Sequence, residues 1–169
     1  MPKKAKPSPK AKIEEKKPIM PKGMDEKSSY YQSVGRRKES SARVRLIVSP
    51  AQITVNGKVY KKGDMVINGR PVEKYFAGIL NEKIYNEPFK ATENLGRFIT
   101  TVKVAGGGLT GQLEAIVHGI ARSLEKVDKQ KYRPILKKAG FLTRDPRKKE
   151  RRKAGFAQKA RAKKQSPKR

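Results

Sequence analysis

The sequence predicts an α+β fold: a mixed four-stranded sheet with helices packed on one face, plus long basic N- and C-terminal extensions. Three observations carry that expectation. Residues 43–48 alternate between apolar and basic side chains, residues 110–128 repeat apolar side chains at helical spacing, and core-forming residues stop outside 29–142. The chain therefore divides into a Lys/Pro-rich extension over 1–28, a folded unit over 29–142 and a basic tail over 143–169.

Within the folded unit, Val44, Leu46 and Val48 fall on one face of a strand, with Arg43 and Arg45 on the other. Ser49-Pro50 breaks that strand, and Gln52–Asn56 resumes with Ile53 and Val55 inward. Asn56-Gly57 is a turn signal, and ITVNG at 53–57 is echoed by MVING at 65–69, so a hairpin region with two similar turns is expected. Pro71 opens a short helix through Val72, Tyr75 and Phe76. Residues 79–94 read as one or two short helices interrupted at Pro88, and Arg97–Val104 as a strand with Phe98, Val102 and Val104 inward.

Thr110 to about Asp128 is the clearest helix. Leu113, Ile116, Val117, Ile120, Ala121, Leu124 and Val127 form one stripe, with Thr110 as the expected N-cap. Glu114, His118, Arg122, Glu125 and Lys129 take the polar face, with Glu125 and Lys129 as an i,i+4 pair. Gly119 costs about 1 kcal/mol relative to Ala in such a helix, which points to close backbone packing. A last helix over about Lys131–Lys138 ends at Gly140.

The extensions differ from this unit in composition. Residues 1–28 are Lys- and Pro-rich, with too few apolar groups to offset chain entropy, and are expected to be disordered. The 27 residues from Thr143 contain no Leu, Ile or Val and thirteen Lys or Arg, so they have nothing to fold around by themselves. The whole chain carries a formal charge of +28, and residues 133–169 supply +14 of it. Such self-repulsion points to a polyanionic partner, nucleic acid before an anionic membrane, because no basic stretch has a continuous apolar face. No apolar run approaches the roughly 20 residues of a bilayer span. The absence of cysteine fits a cytosolic chain.

Three constellations are candidates for that contact. Arg36, Arg37, Lys38, Arg43 and Arg45 lead into and along a strand, and arginine binds phosphate oxygens with a planar fork; edge protection by charge is the alternative. Gly106, Gly107 and Gly108 lie before the best helix, where backbone can approach a phosphate closely; a simple tight turn is the alternative. In the tail, Arg144, Arg147, Lys148, Lys149, Arg151, Arg152 and Lys153 follow a turn at Asp145-Pro146, with a solubilising tail as the alternative.

Catalysis finds no support. His118 is the single histidine, read as surface, and Glu14 and Glu15 lie in a segment unable to hold fixed geometry. Gln112 and Leu113 stand where a Walker loop needs Lys and then Ser or Thr. No cofactor and no metal site are expected.

GRRKESSARVRL at 35–46, GRPVEKYF at 69–76, VAGGGLTGQLEAIVHGIARSL at 104–124 and RPILKKAGFLTRDPRKKERRKAG at 133–155 together resemble the universal small-subunit ribosomal protein nine family in its bacterial form. The likeness implies a non-enzymatic cytoplasmic protein of the ribosome, docked on small-subunit ribosomal RNA in the head beside neighbouring ribosomal proteins. It also implies a tail reaching peptidyl-site tRNA, where the family's terminal Lys-Arg pair is matched by Lys168 and Arg169. Ser166 and Pro167 replace the family's aromatic and serine before that pair, and the stretch from Asn56 to Gly69 is longer than usual, as for an inserted hairpin.

Overall fold

The computed structural model describes residues 29–48, 52–55, 58–156 and 159–161. The expectations for residues 1–28, for the Asn56-Gly57 turn and for Lys168 and Arg169 lie outside the described residues.

Strand β1 (Ser29–Arg37) runs antiparallel to β2 (Ser40–Val48) through a two-residue turn in which Lys38 takes φ 50°. A hairpin of β3 (Gln52–Val55) and β4 (Lys58–Lys61) follows, then β5 (Met65–Ile67) and β6 (Arg70–Pro71). Helices α1 (Val72–Tyr75) and α2 (Ile79–Ala91) lead to β7 (Ile99–Ala105), and α3 (Leu109–Val127) and α4 (Lys129–Lys138) complete the order. The main sheet is ordered β1-β2-β7-β5-β6, with β5 and β7 parallel and its other pairs antiparallel. It is the mixed sheet expected, but with five strands rather than four: Gln52–Val55 leaves it for a separate sheet with β4, while β1, which no apolar alternation marked, and β6, folded back onto β5 by the Asn68-Gly69 turn, join it. Both turn residues have positive φ, 50° and 79°, as that tight hairpin demands. Asn68 also prolongs the β5–β7 ladder with its side chain: Nδ2 donates to Val104 O, and Oδ1 accepts from Val104 N, both at 3.0 Å.

The alternation along β2 sorts the sheet into two faces. Ala42, Val44 and Leu46 are wholly buried in the cluster that contains Ile116, Ile120 and Leu124 of α3. Burial of each large aliphatic side chain contributes about 2 kcal/mol. On the opposite face Ile47 and Ile99 join Tyr30, and Tyr60 of the β3–β4 hairpin packs against them. The ITVNG and MVING echoes thus belong to two separate hairpins in different sheets.

Strand β1 meets α3 without large side chains. A Cβ on Gly35 would lie 1.9 Å from Ala115 O and 2.4 Å from Gly119 N; one on Gly119 would lie 2.6 Å from Val44 Cγ2. Gly119 therefore serves close packing, as its position in the helix suggested. Ser33 adds a 2.5 Å bond from Oγ to Gly119 O and a 2.7 Å contact with Ser123 Oγ.

Four local expectations change. Helix α2 runs unbroken through Pro88, which is fully buried beside Tyr85 and Phe89, so packing outweighs the lost N–H bond. Gly108, not Thr110, is the N-cap of α3. Glu125 pairs with Arg133 rather than Lys129, because α3 ends at Val127 and Lys129 opens α4. Asp128 caps α4 two residues earlier than expected, accepting from Lys131 N at 3.0 Å. The expected stop at Gly140 is present: Gly140 N bonds Lys137 O and Phe141 N bonds Leu136 O, each at 3.1 Å, a Schellman end with Gly140 at φ 79°.

Candidate nucleic-acid interface

Because Val44 and Leu46 point into the core, Arg43 and Arg45 point away from the helices. Register then determines their neighbours. Val34, Arg43 and Lys103 form one row across β1, β2 and β7; Gln32, Arg45 and Thr101 form the next, and Arg36 lies opposite Ser41. Adjacent strands lie about 4.8 Å apart. Arg36, Arg43 and Lys103 are exposed. Arg45 is half-buried, its Nε donating to Gln32 Oε1 at 3.0 Å and its guanidinium 5.4 Å from the Tyr30 ring centre. The β3–β4 hairpin packs at the Ile47–Ile99 end of this face, and the cations occupy the rows beyond it. Lys103 escaped the sequence reading, since a single lysine in a strand carries no signal until its partner across the ladder is known.

Arg37 has a different task. Its side chain is only 12% exposed and binds Glu114 of α3 through Nε. Nη2 lies 3.1 Å from Asp145 Oδ2, and Nη1 donates to Arg147 O at 2.9 Å. Asp145-Pro146, where a turn was expected, carries no backbone turn, and this segment is thereby fastened to the end of β1. Asp145 also accepts from Arg147, at 2.9 Å from its backbone N and 2.6 Å from Nη2. The Arg147 side chain, ahead of all other causes, holds the Asp145 carboxyl far below the usual carboxylate range. Lys148 reaches Glu39 of the β1–β2 turn at 3.6 Å. Further on, Arg161 chelates Glu150 with bonds of 3.0 and 2.5 Å, and Lys153 N bonds Lys159 O at 3.1 Å. Arg144, Arg147, Lys148, Lys149, Arg151, Arg152 and Lys153 are all exposed.

The glycine loop also packs on the chain itself. Gly106 and Gly107 have φ 76° and 61°. A Cβ on the first would lie 2.5 Å from Glu39 O, and one on the second 2.1 Å from Ser40 Oγ. Both glycines are therefore required by the β1–β2 turn beneath them. Gly108 has open space beside it. Lys38, at the tip of that turn, is exposed.

His118 is not idle surface, as its position on the polar side of α3 suggested. Its Nδ1 accepts the Arg36 N–H at 3.3 Å, and the backbone of Leu142, at the root of the tail, bonds the same ring. Arg122 and Lys126 continue the row, donating to Val34 O and Gln32 O, both at 2.5 Å. Residues 114, 118, 122 and 126 thus line the outer edge of β1. Burial, with Arg122 next, lowers the His118 pKa from the ordinary 6.5. A folded-state value below the unfolded one means that the neutral, buried ring contributes stability that is complete above about 6.5 and is lost as pH falls below that toward the folded-state value. A proton NMR titration should place the midpoint below 6.5, and the Arg36 amide should lose protection between pH 7.5 and pH 5. A midpoint above 6.5 would mean that burial and Arg122 do not dominate the surroundings of the ring.

Among the described residues no group of three or more His, Cys, Asp or Glu is placed to hold a metal ion, and no helix is long and apolar enough to cross a membrane.

The family model described as ribosomal protein S9/S16 matches residues 35–169. The small ribosomal subunit protein uS9 of Dehalococcoides mccartyi strain BAV1 is 44% identical over 133 residues, covering 79% of this chain and 91% of the relative. The protein of the same name from Anaeromyxobacter sp. strain K is 46% identical over 123 residues, covering 73% and 85%. The chain belongs to the ribosomal protein S9/S16 family, in its bacterial form, and is a structural ribosomal protein rather than an enzyme.

Proposed function

We propose that this structural protein of the small ribosomal subunit binds ribosomal RNA with the open face of its sheet and its basic tail, and that Lys168 and Arg169 touch peptidyl-site tRNA. The observation that carries the RNA reading is the alignment of Arg43 with Lys103, beside Arg36, on the face away from the helices. Lys38, Gly108 and the cations from Arg144 to Lys153 extend that surface past the β1–β2 turn. Phosphate contacts of this kind position a protein without reading bases. Arg37 acts as a positioning residue for the root of the tail. Gly106 and Gly107 act by letting their loop seat on the turn. The tRNA contact rests on the resemblance of the final Lys-Arg pair. Neighbouring ribosomal proteins complete the set of partners, the ribosome in the cytoplasm is the location, and no membrane is involved.

Two measurements separate the halves of this reading. Binding of the full chain to small-subunit ribosomal RNA should weaken steeply with salt, since each neutralised phosphate adds about 0.7–0.9 to the log–log slope. A flat salt response would refute the RNA half. Deleting Lys168 and Arg169 should leave subunit assembly intact and weaken peptidyl-site tRNA binding modestly, as exposed phosphate contacts contribute little singly. Unchanged tRNA affinity would refute the other half, and failed assembly would give the terminus a structural role instead.

A further inference from the structure

The final 37 residues hold sixteen cations and two acids, Asp145 and Glu150. In a segment that presents positive charge to a polyanion, a carboxylate opposes binding unless it has another task. Asp145 has one. It accepts the Arg147 backbone N–H at 2.9 Å and Arg147 Nη2 at 2.6 Å, and lies 3.1 Å from Nη2 of Arg37. Arg37 is 12% exposed and paired with Glu114 of α3, so Asp145 ties the tail to a cation that belongs to the folded unit.

Other contacts act on the same short segment. Phe141 and Leu142 pack against the main core, the Leu142 backbone bonds the His118 ring, and Lys148 lies 3.6 Å from Glu39. Pro146 adds covalent stiffness: its ring fixes its own φ and restricts Asp145 to extended backbone. A carboxylate placed here either masks Arg147 from phosphate or aims the chain beyond it. Exposure decides between the two. The Arg147 side chain stays 82% exposed, and a guanidinium has five N–H donors, so its outer edge remains open to a phosphate.

We propose that Asp145 is a positioning residue: by bridging Arg37 to Arg147 it makes residues 143–148 part of the folded unit and fixes the direction in which the cations from Lys149 onward leave it. This deepens the RNA-binding reading of the tail and rests on it for the purpose of the aim, but not for the holding itself.

The chain has no cysteine, so Glu87→Cys on α2 and Lys149→Cys in the tail, both at exposed positions, give a single pair of sites for a thiol-directed spin label. In the full-length labelled chain, free of RNA, pulsed electron paramagnetic resonance should give one narrow distance distribution. Adding Asp145→Asn should broaden it severalfold. Asp145→Glu, which keeps a carboxylate for Arg37, should restore most of the sharpness. A broad distribution in the parent chain, or one indifferent to Asp145→Asn, would overturn the proposal.

Affinity of unlabelled full-length chains for small-subunit ribosomal RNA gives the second readout, through its sign. Removing a carboxylate makes the chain more positive and by electrostatics alone tightens binding. A loosened root lowers the effective concentration of the tail at its site, so Asp145→Asn should instead bind about three- to tenfold more weakly. Asp145→Glu should stay near the parent. Equal or tighter binding by Asp145→Asn would make the carboxylate a mask over Arg147 and overturn the aiming role. A parent chain whose RNA affinity is flat with salt would count against the RNA-binding reading alone, and the label distances would still decide whether Asp145 holds the root.

Discussion

Gly35→Ala in the full-length chain is expected to lower unfolding free energy by about 3 kcal/mol or more, read as a fall in the urea midpoint. The added Cβ would lie 1.9 Å from Ala115 O and 2.4 Å from Gly119 N, which are backbone atoms of a helix and cannot rotate away. Relief requires lifting α3 from β1, and that movement would loosen the wholly buried Ile116 and Ile120. Against a domain stability of about 5–15 kcal/mol such a loss is large. Gly108→Ala is the matched comparison: its φ of −109° suits any residue, and a Cβ there meets nothing within 4 Å. Its stability should change by less than about 1 kcal/mol. Equal midpoints for the two variants would mean that the glycine contact between β1 and α3 does not hold the layers together.

Arg43→Glu combined with Lys103→Glu should lower affinity for small-subunit ribosomal RNA about 100-fold at physiological salt and flatten the salt slope by about 1.5 or more. The two side chains face each other in register on the sheet's open face, and both are exposed. Reversing them replaces two phosphate contacts by two repulsions, while the Val44–Leu46 core on the other face is untouched. Thermal unfolding should therefore stay near that of the parent chain. If affinity and slope survive the double reversal, the RNA surface lies elsewhere and the proposed reading of this face fails.

Legibility in the sequence followed the periodicity of large apolar side chains. Helix α3 buries such residues at clean spacing, and β2 does so at Val44 and Leu46, so both were visible, as was the loss of core at the tail; Val48, expected on the same inward face, is exposed, while Ile47 is buried on the other. Strand β1 was not identified as a strand because it faces α3 with Ser33, Gly35 and Arg37, where contact is made by backbone approach and hydrogen bonds. Pro88 misled for the opposite reason, since a local propensity yielded to burial. The candidate cations were legible as a set but not by task. Nothing local distinguishes Arg37 from Arg36, yet one turns inward to Glu114 and Asp145 while the other stays exposed. His118 was misread for the same reason, because its partner Arg36 lies 82 residues away.

The row from Glu114 to Lys126 along β1 also governs how the protein behaves before it meets the ribosome. A free strand border is a template on which another chain can add by backbone pairing. Here the Arg36 N–H and the Val34 and Gln32 carbonyls on one border are engaged by His118, Arg122 and Lys126. The other border is β6, only two residues long and half proline, which has no N–H to give. The main sheet is therefore closed to templated growth at both ends. A chain with α3 seated can await assembly into the small subunit without polymerising through its main sheet, whereas one with α3 displaced loses that protection along with its core.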